Sequence, residues 1–169
     1  MGRFTPPPLA RHLLLGLIAA LAVAGLAILL NRGSQVRLDG KILKVRTIAT
    51  DESDSIAVVD LRVSNPARTL FQVAAVQVEA RLDGGRVEEG LSVPQLDLDR
   101  LLEYNKLAGP RYTEVLKERA RIRGGERQDR TVAASFHISE KRLRERAGLE
   151  LKIRDADGIV VVISERPAR

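Results

Sequence analysis

Cysteine and tryptophan are absent from this chain, and its aromatic residues are three phenylalanines and two tyrosines. Without cysteine there is no disulfide, no thiolate nucleophile and no cysteine-held zinc or iron–sulfur cluster. Histidine is nearly as scarce: His12 and His137 are the only two. The shortage of large aromatics means that a core must be aliphatic, built from Val, Leu, Ile and Ala. It also removes the platforms on which bases stack, and no nucleic-acid recognition motif takes their place. The net charge of +6 arises from 28 basic residues interspersed with 22 acidic ones. That balance suits an anionic surface or polymer better than specific nucleic-acid binding. Gly84-Gly85 and Gly124-Gly125 lack the G-x-x-x-x-G-K spacing of a phosphate-binding loop.

What is present begins with residues 13–30, LLLGLIAALAVAGLAILL, 18 residues without a charge. As a helix rising ~1.5 Å per residue the run is roughly 27 Å long, enough to cross the apolar part of a bilayer. A helix also satisfies its own backbone polar groups, as lipid requires. Ala22-Val23-Ala24 has the small-residue spacing of a signal-peptide cleavage site, but further apolar residues follow it, so an uncleaved signal anchor is expected. Arg3 and Arg11 precede the run; Arg32, Arg37, Lys41, Lys44 and Arg46 follow it. A bare charge count would leave the C-terminal part in the cytoplasm. Residues from Arg37 onward, however, fall in an expected strand, and a short basic head before an apolar run acts as an export signal. The expected organisation is a cytoplasmic head 1–12, an anchor 13–30, a linker 31–35, a β domain 36–164 and a tail 165–169. The protein is placed in the inner (plasma) membrane as a single-pass protein, its C-terminal domain extracytoplasmic (periplasmic).

Hydrophobic residues are 44% of the chain, and about 130 residues beyond the anchor are enough for one domain with its own core. Seven extended segments are expected: 36–47, 56–64, 71–82, 86–93, 130–138, 149–153 and 159–163. In the first, Leu43, Val45 and Thr47 share a face, with a bend or bulge at Asp39-Gly40. In the second, Ala57, Val59, Leu61 and Val63 oppose a polar face of Asp60 and Arg62. The third slips phase at Ala74-Ala75, the mark of a β-bulge. The fifth buries Val132, Ala134, Phe136 and Ile138. The last is a short apolar run covered on both faces. Asp83-Gly84 and Asp157-Gly158 are hairpin turns, because Gly takes positive φ freely. Between the fourth and fifth strands the period changes. Leu98, Leu101 and Leu102 are spaced for a helix with Asp97 as N-cap. After Gly109-Pro110, Tyr112, Val115 and Leu116 suggest a second helix. The expected fold is mainly β: an immunoglobulin/fibronectin-like two-sheet sandwich of about seven strands, with a helical hairpin inserted at 97–121, preceded by one transmembrane helix.

Asn65-Pro66 ends the second strand, since Pro66 cannot donate to a ladder and forces Asn65 to be extended. The Asn65 amide is placed to bond nearby backbone at that corner. The series Leu61-x-Val63-x-Asn65-Pro66, Val76-x-Val78, Asp83-Gly84 and Gly90 resembles the late-embryogenesis-abundant type 2, or water stress and hypersensitive response, domain. Ile122-x-Gly124-Gly125 and the strand after it resemble that family's closing half. The resemblance implies a small β-sandwich, in bacteria often tethered to a membrane and exported, associated with desiccation and stress protection and without established catalysis.

No residue set commits the chain to catalysis, a cofactor or a metal. Ser135-x-His137 on one strand face has no visible orienting acid and reads as a surface pair. Asp155-Ala156-Asp157-Gly158 misses the first and last ligand positions of a calcium loop, and Asp51-Glu52-Ser53-Asp54 reads as a solvated acidic turn. Residues 141–146 read as a short basic surface helix. Arg100, Lys106, Arg111, Lys117 and Arg119 on the insert form the candidate interaction surface. The expected function is non-enzymatic: a membrane-anchored structural or protein-interaction module of the cell envelope, contacting membrane lipid through one helix and an envelope protein or anionic polymer through its domain. Stress protection is the alternative, and an enzyme with a site on the inserted helices is the more distant one.

Overall fold

Alternating branched aliphatic residues make strands here, and Gly, Asn and Asp make the turns between them. A computed structural model describes residues 8–31 and 38–165, with the side chains of 8–11, 13–15, 27–31 and 107 outside the description. Residues 1–7 of the expected head, 32–35 of the linker, 36–37 of the first strand and 166–169 of the tail lie outside the described residues. The chain divides into two units, Met1–Gln35 and Val36–Arg169. In the first, helix α1 (Pro8–Asn31) takes in the whole apolar run. Leu17, Ile18, Leu21, Val23 and Leu26 are all exposed, and at 3.6 residues per turn they point to every side of the helix. Among the described residues no helix is long and apolar enough to cross a membrane; the unbroken stretch of described side chains in α1 is residues 16–26.

The second unit is mainly β. Its strands are β1 (Asp39–Ala49), β2 (Ser55–Ser64), β3 (Phe71–Arg81), β4 (Val87–Ser92), β5 (Arg121–Ile122), β6 (Arg127–Phe136), β7 (Gly148–Asp155) and β8 (Val160–Ser164), with helices α2 (Gln95–Tyr104) and α3 (Glu140–Arg144). They form one curled sheet in the order β1-β2-β6-β4-β3-β7-β8, with β5 on β3. Strand β4 joins the halves: Val87–Gly90 pairs with β3, and Leu91–Ser92 pairs with β6. Gly90 sits at the changeover because a Cβ there would lie 2.6 Å from the Phe136 ring. The halves fold onto each other as the layers of a sandwich. Ala57, Val59, Leu61 and Val63 of β2 share a core with Val73, Val78 and Ala80 of β3 and with Leu149, Leu151 and Ile153 of β7. Each large apolar side chain buried this way contributes about 1.5–3 kcal/mol.

The Ala74 bulge is present, as a register shift between Val73 and Ala75. The turn after β3 is a 3₁₀ turn, Asp83–Gly85, with Gly84 at φ 77°. Several expectations are corrected. Among the described residues there are eight strands, the extra one being the two-residue β5. The bulge in β1 falls between Ile42 and Lys44, not at Asp39-Gly40, which turns Leu43 out to solvent. Strand β8 is covered on its inner face only, through Ile163; Val160 and Val162 are exposed. The short basic helix α3 carries a fully buried residue, Leu143, which packs into the main core.

The insert departs most. Helix α2 starts at Gln95 after Pro94, so Asp97 lies in its first turn and is not the N-cap. No second helix follows. A 3₁₀ turn, Lys106–Ala108, and Gly109 at φ 74° redirect the chain. Residues 114–117 then run extended, as suits β-branched Val115, and a turn at Glu118-Arg119, with Arg119 at φ 63°, leads into β5. Leu116 N–H donates to Thr131 O and Thr131 N–H to Glu114 O, both at 2.9 Å. Further on, Arg119 N–H donates to Val73 O and Val73 N–H to Ala120 O. The segment thus fills the gap between β6 and β3 that β4 leaves open, and covers both edges.

Candidate interaction surface

The outer face of β2 determines how the insert sits. Ile56 and Val58 point away from the main core, yet they are buried, because Leu98 and Leu102 of α2 cover them together with Ile48 and Ala133. This second, smaller core explains why Leu98 is fully buried while Leu96, Arg100, Glu103 and Tyr104 on the other side of the helix are exposed. Asp60 and Arg46 lie on the same outer face. Arg46 Nη2 donates to Asp60 Oδ2 at 3.0 Å, with side-chain exposures of 7% and 11%. Its Nη1 donates to Ala108 O at 2.9 Å and Pro110 O at 3.0 Å. The guanidinium carbon is 5.5 Å from the centre of the Tyr112 ring. Thr131 Oγ1 donates to Asp60 Oδ1 at 2.8 Å and lies 2.8 Å from Thr113 Oγ1. One buried ion pair therefore clamps the 108–113 segment onto the sheet. The sequence reading placed Asp60 on an open polar face; its burial is a correction, and its cause is the insert.

The candidate basic residues do not form one patch. Arg111 is engaged: its Nε donates to Asp99 Oδ1 at 2.8 Å and its Nη1 to Thr113 O at 2.8 Å. That hydrogen bond holds the Asp99 carboxyl below its ordinary value of 3.8, against a smaller opposing effect of burial. Lys106 and Arg111 line one groove with Asp99, Leu102, Glu103 and Pro110. Lys117 and Arg119 line an adjoining hollow that Arg111 also borders. Arg100 is exposed but lines neither. The site residues that sequence reasoning missed are the aromatic ones. Tyr104 is 88% exposed and Tyr112 67% exposed, so both tyrosines of the chain project from the insert. Their scarcity elsewhere was the available signal.

At the corner, Asn65 does what its position promised. It is buried; Nδ2 donates to Thr69 O at 2.8 Å and Ile122 O at 2.9 Å, and Oδ1 accepts from Ala67 N–H at 3.0 Å. Pro66 is exposed beside it. Asp155 is likewise structural, its Oδ1 accepting from Gln72 N–H at 2.8 Å. His137 is exposed and has a partner that sequence spacing hid: its Nδ1 lies 2.6 Å from Asp54 Oδ1, across the β1–β2 turn. Ser135 Oγ donates at 3.5 Å to Leu91 O. With its side chain 81% exposed, His137 is solvated like a surface imidazole. Among the described residues no group of three or more acidic or histidine side chains is placed to hold a metal ion.

No protein-family model matches this chain, and no curated protein matches it. Among solved structures it is similar to an uncharacterized β-sandwich protein from Clostridium difficile 630, with a TM-score of 0.33 and 10% identity over 78% of this chain and 82% of that one.

Proposed function

We propose that this is a single-pass, membrane-anchored, non-enzymatic β-sandwich module, its domain on the extracytoplasmic side, which binds another protein of the cell envelope through the insert. The observation that carries the binding role is Tyr104, 88% exposed, on the same face of α2 as the exposed Leu96 and Arg100. Tyr and Arg are the residues that dominate binding energy in protein interfaces, and Tyr112 is also held over Arg46 within the domain. The anchor is supported by α1, whose described apolar side chains face outward on every side, the pattern of a helix surrounded by lipid. The test is site-specific photocrosslinking from position 104 in intact cells. A discrete partner band, lost in an Arg100→Ala, Lys106→Ala variant with unchanged thermal melting, supports the reading. Crosslinks only to polysaccharide or other anionic polymer would move it to the polymer-binding alternative. Resistance of the full chain to alkaline carbonate tests the anchor, and protease added to spheroplasts tests the orientation.

Stress protection of the late-embryogenesis-abundant type 2 kind is the second reading. The corner at Asn65-Pro66, with the buried Asn65 amide tying the 65–70 loop to Ile122, favours it, since that corner carries the resemblance. It calls for broad, weak contacts, and so for diffuse crosslinking from position 104 and a loss of viability on drying when the gene is deleted.

A further inference from the structure

One end of the β domain is built from three loops that backbone hydrogen bonds tie together. Asn65 N–H donates to Glu126 O and Gly125 N–H to Asn65 O, joining the 65–70 loop to the 122–127 loop. Gly124 packs so closely on Ala67 that a Cβ would lie 2.6 Å from its carbonyl oxygen. Ala156 N–H donates to Gln72 O, joining the β7–β8 turn. The strand register brings the start of β1 to the same end, with Lys41 opposite Arg62 and Ser64 opposite Arg127. The chain therefore enters the domain here, with β1 beginning eight residues after the last residue of α1 in the sequence.

This end is strongly cationic. Lys41, Arg68, Arg121, Arg123, Arg127 and Arg154 are all exposed, and among the described residues none of them forms an ion pair. The acidic groups there are Asp39, Glu126, Asp129, Asp155 and Asp157; Asp129 is already taken by Arg62, at 2.6 Å, and Asp155 is buried and accepts from Gln72 N–H. Leu70, 45% exposed, and Ile159, 41% exposed, stand on the same rim. Basic side chains interleaved with exposed apolar ones, on loops held rigid from behind, suit the interface of an anionic bilayer, where the cations meet phosphates and the aliphatic tips enter the headgroup region.

We propose that this loop end docks on anionic lipid, so that the domain lies against the bilayer in which α1 is anchored. The inference rests on the anchored reading above. The absence of cysteine makes the test direct: Leu70→Cys, labelled with an environment-sensitive fluorophore, in the full chain reconstituted into vesicles. The comparison is phosphatidylcholine alone against phosphatidylcholine mixed with phosphatidylglycerol, with a Glu52→Cys label at the opposite end of the sheet as control. The expected result is blue-shifted emission and quenching by lipid-borne quenchers at position 70 in the anionic vesicles only, reversed by high salt. Changing Arg68 or Arg123 to Gln lowers the docked-to-free ratio by about fivefold each, and changing them to Lys retains docking. Equal signals in the two lipids, an equal response at position 52, or the same response when soluble polyphosphate is added to neutral vesicles would each overturn the proposal. The anchor is read separately, by flotation with neutral vesicles. A chain that fails to float there refutes the anchor, while the position-70 comparison on anionic vesicles still decides the docking.

Discussion

Arg46 and Asp60 form the most consequential pair in the domain. Taking two charges out of water is costly, and the pair survives because Asp60 also accepts from Thr131 while Arg46 donates to Ala108 and Pro110. Removing one partner leaves the other buried and uncompensated. Arg46→Met or Asp60→Leu alone should therefore destabilise the domain by about 3–5 kcal/mol, whereas the double change should cost less than either single one. Urea unfolding of the four proteins in the cycle measures this; a double variant as unstable as the sum of the singles would show the two charges acting independently. Asn65 is a neutral counterpart. Asn65→Asp removes both donors to Thr69 O and Ile122 O, leaving two carbonyls unpaired and facing a charge. Loss of roughly 2–4 kcal/mol is expected, more than for an exposed Asn, read by the same unfolding assay. Asn65 was legible in the sequence because two of its partners, Ala67 N–H and Thr69 O, belong to the local Asn-Pro corner, whereas the third, Ile122 O, was not legible. Asp60 was not, because alternation assigns residues to a face without saying what covers that face.

Helix α2 and the segment after it supply that cover, and here the division between legible and hidden structure is clearest. The spacing of Leu98, Leu101 and Leu102 identified a helix correctly. Tyr112, Val115 and Leu116 have a spacing that fits a helix as well as an extended chain, and the backbone of Thr131 decides for the latter. The structure makes the insert half of a second core. Leu98→Ala, at a fully buried position, should cost about 2–5 kcal/mol. Replacing residues 95–119 by a short Gly/Ser linker should abolish cooperative unfolding rather than leave a folded sheet, because Ile48, Ile56 and Val58 would be exposed along with the Arg46–Asp60 pair. A sharp melting transition in that deletion would sink this account. Helix α3 makes a different, titratable attachment. Glu140 is bonded by Arg144 and by Thr47 of β1, which hold its carboxyl below the ordinary value of 4.5. A folded-state value below the unfolded one means that the stabilisation is fully present above about pH 4.5 and is lost as pH falls through the folded value. Asp99 and Asp129, held down by Arg111 and Arg62, add to the same acid limb. Melting temperature should thus fall as pH drops below about 4.5, and Glu140→Gln should be less stable at neutral pH with a shallower acid decline.

At the scale of the whole molecule, the question is how a curled sheet with β1 at one edge and β8 at the other avoids presenting two open edges. The order of strands separates β1 and β8 by the full width of the sheet, yet curling brings them together. At Gly40 of β1 an added Cβ would lie 2.0 Å from Cδ1 and 2.6 Å from Cγ1 of Ile163 in β8. Ile163 is 3% exposed and belongs to the main core, so it has little room to move aside. No hydrogen-bonded ladder joins the two strands; side-chain packing across a missing Cβ makes the closure. The edge is then protected by contact rather than by pairing, and the exposed Val160 and Val162 remain its weak point. Sequence alternation cannot reveal this seam, because neither strand's pattern encodes its distance from the other. Filling the gap should force the edges apart: Gly40→Ala is expected to cost about 1–3 kcal/mol, in the range of other overpacked cores. Shortening the opposing side chain should relieve it, so Gly40→Ala combined with Ile163→Val should be more stable than Gly40→Ala alone, although Ile163→Val by itself costs about 0.5–1.5 kcal/mol. A thermal-melting cycle over the four proteins measures the coupling, and aggregation of Gly40→Ala on gentle heating, suppressed in the double variant, would mark the reopened edge. Strictly additive melting shifts would show that β1 and β8 do not meet in solution, and the closed seam would have to be abandoned.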